Sequence, residues 1–220
     1  MHALSSVVFA ALAAIGSSVV LAARVTSQDT KRPYRNVSGG ELRADQACYD
    51  VRHYTLRLDV DPAAKTIAGS LTMTATWLAA SPSLRLDLDP AFTVQAVRLQ
   101  GSDVPFERTT GAIDVKPKEP LAVGAKFEVT VDYAGAPRVA KNPPWDGGFT
   151  WSQTKDGKPW IATSCQGEGG DLWWPCKDHP SDKPDGIDLH VTAPAGLVLA
   201  GNGVRVGEPV TKDCRTSCHW

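Results

Sequence analysis

The amino-acid sequence predicts an all-β protein, and three observations carry that reading. Two long stretches, 49–61 and 67–77, alternate apolar and polar residues at period two. Shorter runs recur down the chain, each bounded by Pro, Gly or Asp. After residue 24 no stretch keeps a helical period with caps. Many short strands separated by Gly/Pro turns imply an antiparallel sandwich or an open saddle-shaped sheet.

In the first stretch Tyr49, Val51 and His53, then Tyr54, Leu56, Leu58 and Val60, alternate with Thr55, Arg57, Asp59 and Asp61. That is a long half-buried strand. Asp61-Pro62-Ala63-Ala64-Lys65 reads as a turn, because proline presets its φ angle. Ile67, Gly69, Leu71, Met73, Ala75 and Trp77 then alternate with Thr66, Ser70, Thr72, Thr74 and Thr76, completing a hairpin. Further strands are expected over 83–88, 93–99, 112–115, 126–133, 187–191 and 196–199. Residues 135–185 break the rhythm, with Trp145, Trp151, Trp160, Trp173 and Trp174 set among glycines and prolines. Such aromatics either cap the open end of a sandwich or line a site.

Composition narrows the function classes. A chain of 220 residues, 42% hydrophobic, fits one large domain or one domain with extensions. A net charge of −1 with dispersed Lys and Arg gives no electrostatic footprint for nucleic acid or an anionic membrane. Residues 1–22 read as a signal peptide: 4–22 is apolar or small, and Val20-Leu21-Ala22 suits a signal peptidase. Met1-His2-Ala3 carries no Lys or Arg, so an uncleaved N-terminal membrane anchor is the alternative. Both place the folded part in an oxidising compartment, secreted or periplasmic in the first case. Residues 23–47 are polar and read as a flexible lead-in, with a β domain over 48–210.

Five cysteines leave at least one without an intrachain partner. Cys165 and Cys176 read either as a bridge closing the loop between them or as small buried apolar residues. Cys214-x-x-x-Cys218-His219 has the look of a metal half-site but no second half, so no metal is assigned to this chain.

The most informative stretch runs from Cys165 to Pro180: Cys165-Gln166-Gly167-Glu168-Gly169-Gly170-Asp171-Leu172-Trp173-Trp174-Pro175-Cys176-Lys177-Asp178-His179-Pro180. Polar side chains stand there among glycines, beside flat apolar walls, as in many small-molecule sites. No Gly-Lys-Ser/Thr follows the glycines, which excludes a phosphate loop. Asp178, Asp182, Asp185 and Asp188 lack the calcium-loop pattern and read as turn residues and caps. No His-Glu-x-x-His occurs, and the five histidines are scattered singly, so no catalytic residue is assigned.

Tyr49-Asp50-Val51-Arg52-His53-Tyr54-Thr55-Leu56-Arg57-Leu58-Asp59-Val60, then Ile67-Ala68-Gly69 and Met73-Thr74-Ala75, resembles the opening of the aminopeptidase N family of zinc metallopeptidases. Gly147-Gly148-Phe149, Trp160-Ile161-Ala162-Thr163, Trp173-Trp174-Pro175-Cys176-Lys177-Asp178, Ala193-Pro194-Ala195-Gly196 and Gly201-Asn202-Gly203 continue the resemblance in order, over about residues 47–206. It implies an antiparallel saddle-shaped sandwich, the family's N-terminal domain, packed against a thermolysin-like catalytic domain that supplies the zinc site. The implied function is anchoring the substrate of a zinc aminopeptidase that removes N-terminal residues from peptides. The implied partners are that catalytic domain and a peptide with a free N-terminus; the implied cofactor, zinc, belongs to the full-length enzyme.

In the family a Gln or Glu of this domain accepts hydrogen bonds from the substrate's α-ammonium. Counting back without gaps from Trp174-Pro175-Cys176-Lys177-Asp178 puts Gln166 at that position and Ser164 at its earlier partner. A two-residue shift would instead pair Gln166 with Glu168 across Gly167. Substrate binding is therefore assigned to Gln166, Glu168 and Gly167, with Phe149 and Trp151 as walls of the pocket for the first side chain. Residues 211–220 depart from the family pattern and read as an aberrant or truncated end, leaving the chain inactive alone. The alternative is a freestanding β-sandwich module that recognises peptide N-termini.

Overall fold

The computed structural model describes residues 38–220. The signal peptide expected over 1–22 and most of the lead-in expected over 23–47 lie outside the described residues. Within them nearly all of the regular secondary structure is strand. In order come a one-turn helix α1 (Ala44–Ala47) and the strands β1 (Tyr49–Asp61), β2 (Thr66–Trp77), β3 (Leu84–Asp87), β4 (Phe92–Leu99) and β5 (Ser102–Asp103). They are followed by β6 (Phe106–Thr109), β7 (Ala112–Val115), β8 (Lys126–Gly135), β9 (Gly148–Gln153) and β10 (Pro159–Ser164). After a 3-10 turn at Gly170–Leu172 come β11 (Gly186–Pro194), β12 (Val210–Lys212) and β13 (Arg215–His219).

Eight strands form one sheet in the order β12-β13-β11-β1-β2-β8-β4-β5, beside a three-stranded sheet β3-β7-β6 and a hairpin β10-β9. The long hairpin read from the sequence is β1–β2, with Leu56 opposite Leu71 and Tyr54 opposite Met73. Its register slips between Val51 and His53. That bulge is why the apolar alternation changes phase there: Tyr54 turns inward and His53 outward. All pairings in the large sheet are antiparallel except β1–β11, whose parallel register sets Leu56 opposite Leu189.

One apolar core joins the sheets. The inward residues of β1, β2 and β8 pack with Leu84, Leu86, Ile113 and Val115 of the small sheet in a single cluster. Full burial of each such side chain contributes roughly 1.5–3 kcal/mol. Within the large sheet Trp77 meets Phe127 edge-on at 5.5 Å, while the Tyr49 hydroxyl donates to the Arg85 carbonyl at 2.6 Å, tying the two sheets together. At Gly69 a Cβ would come within 2.6 Å of the Tyr133 ring, so only glycine lets that ring cross β2. The freed Tyr133 hydroxyl donates to the Trp173 carbonyl at 3.0 Å, fastening the glycine-rich segment to the core.

One expectation needs correction. Residues 196–199 form no strand: Gly196 turns the chain at φ +92° after β11, and Val198 is 96% exposed because no neighbouring strand covers it. The end of the chain, in contrast, is regular, since β13 pairs with β11 across Val191–Cys218 and with β12 across Thr211–Thr216.

Candidate functional site

The segment after β10 is built as a clamp. Glu168 and Gly169 donate their backbone N–H groups to the Cys165 carbonyl at 3.2 and 3.0 Å, making a tight turn that displays residues 166 and 167. Gly167 and Gly169 both have positive φ, which glycine adopts without strain. Further on, Cys176 and Asp87 exchange backbone hydrogen bonds at 2.7 and 3.0 Å, pinning the segment to β3.

Gln166 and Gly167 are exposed at the tip of this turn. Among the described residues the Gln166 side chain makes no hydrogen bond, so its amide oxygen is available as an acceptor. Glu168 is differently placed. Its Oε2 lies 2.7 Å from Arg138 Nη1, and its Oε1 accepts the Gly147 N–H at 3.1 Å. Arg138 Nη2 in turn lies 2.7 Å from Asp89 Oδ2, and the Asp89 side chain is only 3% exposed. The glutamate is thus held from β9's leading edge rather than presented outward.

Phe149 and Trp151 stack at 5.2 Å, but only one of them faces outward. Phe149 is buried, meeting Trp173 edge-on at 6.3 Å. Trp151 lines a groove of about 900 Å³ with Pro62, Pro159, Ile161, Pro194 and Leu197. No residue between Cys165 and Gly170 lines that groove.

The five cysteines are unpaired, Cys165 and Cys176 included. The Cys165 Sγ lies 3.3 Å from the Trp173 indole nitrogen, and burial pushes the Cys176 thiol well above its ordinary value. Both are packing groups here.

The aspartates read as caps have other work. Asp182 forms an ion pair with Lys177 at 2.6 Å, both side chains 4% exposed, and accepts the Val51 N–H at 3.1 Å. Asp188 bridges two of the singly scattered histidines, His53 at 2.9 Å and His219 at 2.8 Å. Asp178 accepts the Gly170 N–H at 3.2 Å, and its own N–H donates to Asp87 Oδ2 at 3.1 Å. Burial raises the Asp87 carboxyl from 3.8 to about 6, against the Asp178 N–H and Arg85, which lower it. Asp178 is raised as well, first by burial. Arg138 and Asp89 went unnoticed in the sequence because their partners lie 30 and 49 residues away along the chain.

A zinc site does not fit these residues. Among the described residues no three His, Cys, Asp or Glu side chains converge to hold a metal ion. His219 of the terminal half-site is engaged with Asp188, and Cys218 is buried.

Fold and loop together define a β domain of the kind found in zinc metallopeptidases. The chain belongs to the Peptidase M1 N-terminal domain family, matched over residues 50–219. Among solved structures it is similar to a two-domain M1 zinc metallopeptidase mutant bound to L-arginine, at 26% identity and a TM-score of 0.66. That match covers 80% of this chain and 39% of the other. An M1 zinc metallopeptidase mutant from Deinococcus radiodurans, bound to a Tyr-Ser-Ala substrate, is similar at 25% identity and a TM-score of 0.65, over 78% of this chain and 38% of that one. Native yeast LTA4 hydrolase shares the fold at 22% identity and a TM-score of 0.61, over 88% of this chain and 30% of that one. The chain therefore spans between 30% and 39% of the length of these relatives. No curated protein matches it.

Proposed function

We propose that this domain anchors the free N-terminus of a peptide in a zinc aminopeptidase, with the Gln166 amide oxygen accepting a hydrogen bond from the α-ammonium. The observation that carries the reading is the contrast within one loop: Glu168 is engaged by Arg138 and Gly147, whereas Gln166 is exposed without a partner among the described residues. An ammonium has only donors, so a fixed carbonyl acceptor suits it. An amine held at a fixed distance from the reacting centre leaves only the first peptide bond in reach, which is aminopeptidase selectivity. On this reading Glu168 shapes the loop and Gly167 gives the ligand close approach.

Zinc bound in a catalytic domain would activate the attacking water. Among the described residues nothing fits that ion, so they are given binding and orientation only. Val139, Trp145 and Trp160 lie exposed around β9 and β10, which favours a second domain docking there over a freestanding module. The run at 4–22 supports export of the whole protein. Titrating the chain with a free-amine tripeptide and its N-acetylated counterpart tests the anchor. Preference for the free amine supports it, and equal binding removes it.

A further inference from the structure

We propose that Asp178 is a positioning residue for Gln166, closing the Gly169–Gly170 end of the anchoring loop, and that Asp87 beneath it forms with it one coupled carboxyl pair. The inference rests on Gln166 being the amine anchor.

The loop from 165 to 170 is fixed at three places. Its start is tied by the turn onto the Cys165 carbonyl, and its middle by Glu168 to Arg138 and Gly147. Its end is tied by Asp178, whose Oδ1 accepts the Gly170 N–H at 3.2 Å. A Cβ on Gly169, at φ +93°, would overlap the Asp178 carboxyl, so the carboxyl and the glycine backbone are packed against each other. Ser38 reaches the same carboxyl with its side chain. Its N–H donates to the Gly167 carbonyl at 3.3 Å, and the Gly39 N–H donates to the Asp178 carbonyl at the same distance. Asp178 therefore joins the lead-in, the loop end and β3 at one residue.

Asp87 faces Gln46 of α1, whose amide donates to Oδ2 at 2.6 Å, and Arg85 of its own strand, 3.8 Å from Oδ1. Arg85 is shared with Asp114 of β7 at 3.2 Å. From β1 the phenols of Tyr49 and Tyr54 face it, both pushed well above their ordinary range by burial. On the segment above are Cys176, Asp178, His179, and Lys177 held by Asp182. The Asp178 N–H donates to Asp87 Oδ2 at 3.1 Å, and the Asp178 carboxylate raises the proton affinity of Asp87; such coupling is reciprocal, so protonating one relieves the other. On acidification Asp87 takes up its proton at about 6.

The test follows the backbone amides of Gly167 and Gly170 by NMR across pH in the full chain, with tripeptide binding measured alongside. Wild type should show the Gly170 amide responding to both carboxyls. Asp87→Asn should leave one step at lower pH, and Asp178→Asn should leave only the Asp87 step, moved to lower pH, while its amide oxygen still holds Gly170. Asp178→Ala should reduce preference for the free-amine over the acetylated tripeptide by roughly tenfold, the size expected for losing a charged acceptor. If Asp178→Ala does not fold, the Asp87→Asn shift decides the matter alone. A Gly170 amide that ignores pH, or an unmoved midpoint in Asp87→Asn, overturns the pair. A chain with the Gly170 signature that binds both tripeptides equally leaves the pair standing and removes the anchor.

Discussion

Arg138 binds Glu168 with Nη1 2.7 Å from Oε2, while its other arm holds Asp89 at the same distance. A guanidinium presents its donors as a rigid fork, so a single side chain fixes two carboxylates from separate segments. The loop that displays Gln166 is thereby set by a residue 30 positions earlier in the chain.

Arg138→Ala should therefore destabilise the domain by about 2–4 kcal/mol, because it leaves the Asp89 carboxylate buried without its cation. Glu168→Gln should cost nearer 1 kcal/mol, since the amide can still accept the Gly147 N–H. Urea denaturation of the two variants checks the order. Equal small losses would mean that Arg138 is a surface charge.

Lys177→Met should be worse than most surface charge removals. Its ammonium is buried with Asp182, also donates to the Tyr49 carbonyl at 2.7 Å, and lies 4.7 Å from the Tyr49 ring. Removing it strands a buried carboxylate, a loss of about 3–5 kcal/mol. The double variant Lys177→Met with Asp182→Asn should recover part of that loss in a double-mutant cycle.

Asp87 gives the stability profile a defined slope. Its folded value, about 6, lies above the ordinary 3.8, so the protonated form favours the folded state. That contribution is full below about pH 4 and is lost as pH rises through about 6. The stability of Asp87→Asn minus that of wild type should consequently rise by on the order of 2–3 kcal/mol from pH 4 to pH 7. A flat difference would place Asp87 in ordinary solvent.

The strands that were legible in the sequence are those with one face on the core. β1, β2 and β8 alternate because large apolar residues face inward and Thr, Asp or Arg outward, and even the bulge left its mark at His53-Tyr54. β9 and β10 were not legible as strands, because as a separate hairpin they bury no regular alternate face. β13 hides for another reason: its inward residues are Thr216 and Cys218, too small and polar to read as a core stripe. The loop's sequence revealed Gln166 and Glu168 as polar groups among glycines. Only folding separates their environments, since Arg138, Gly147 and Asp89 come from elsewhere in the chain.

The most direct measurement compares Gln166→Ala with wild type for binding of a free-amine tripeptide and its acetylated form, with melting temperature recorded for each protein. Losing one acceptor to a charged donor should erase roughly tenfold of the preference for the free amine. An exposed side chain without a partner among the described residues should leave the melting temperature unchanged. Undiminished preference in Gln166→Ala, or a drop in melting temperature that accounts for the loss, would contradict the anchor.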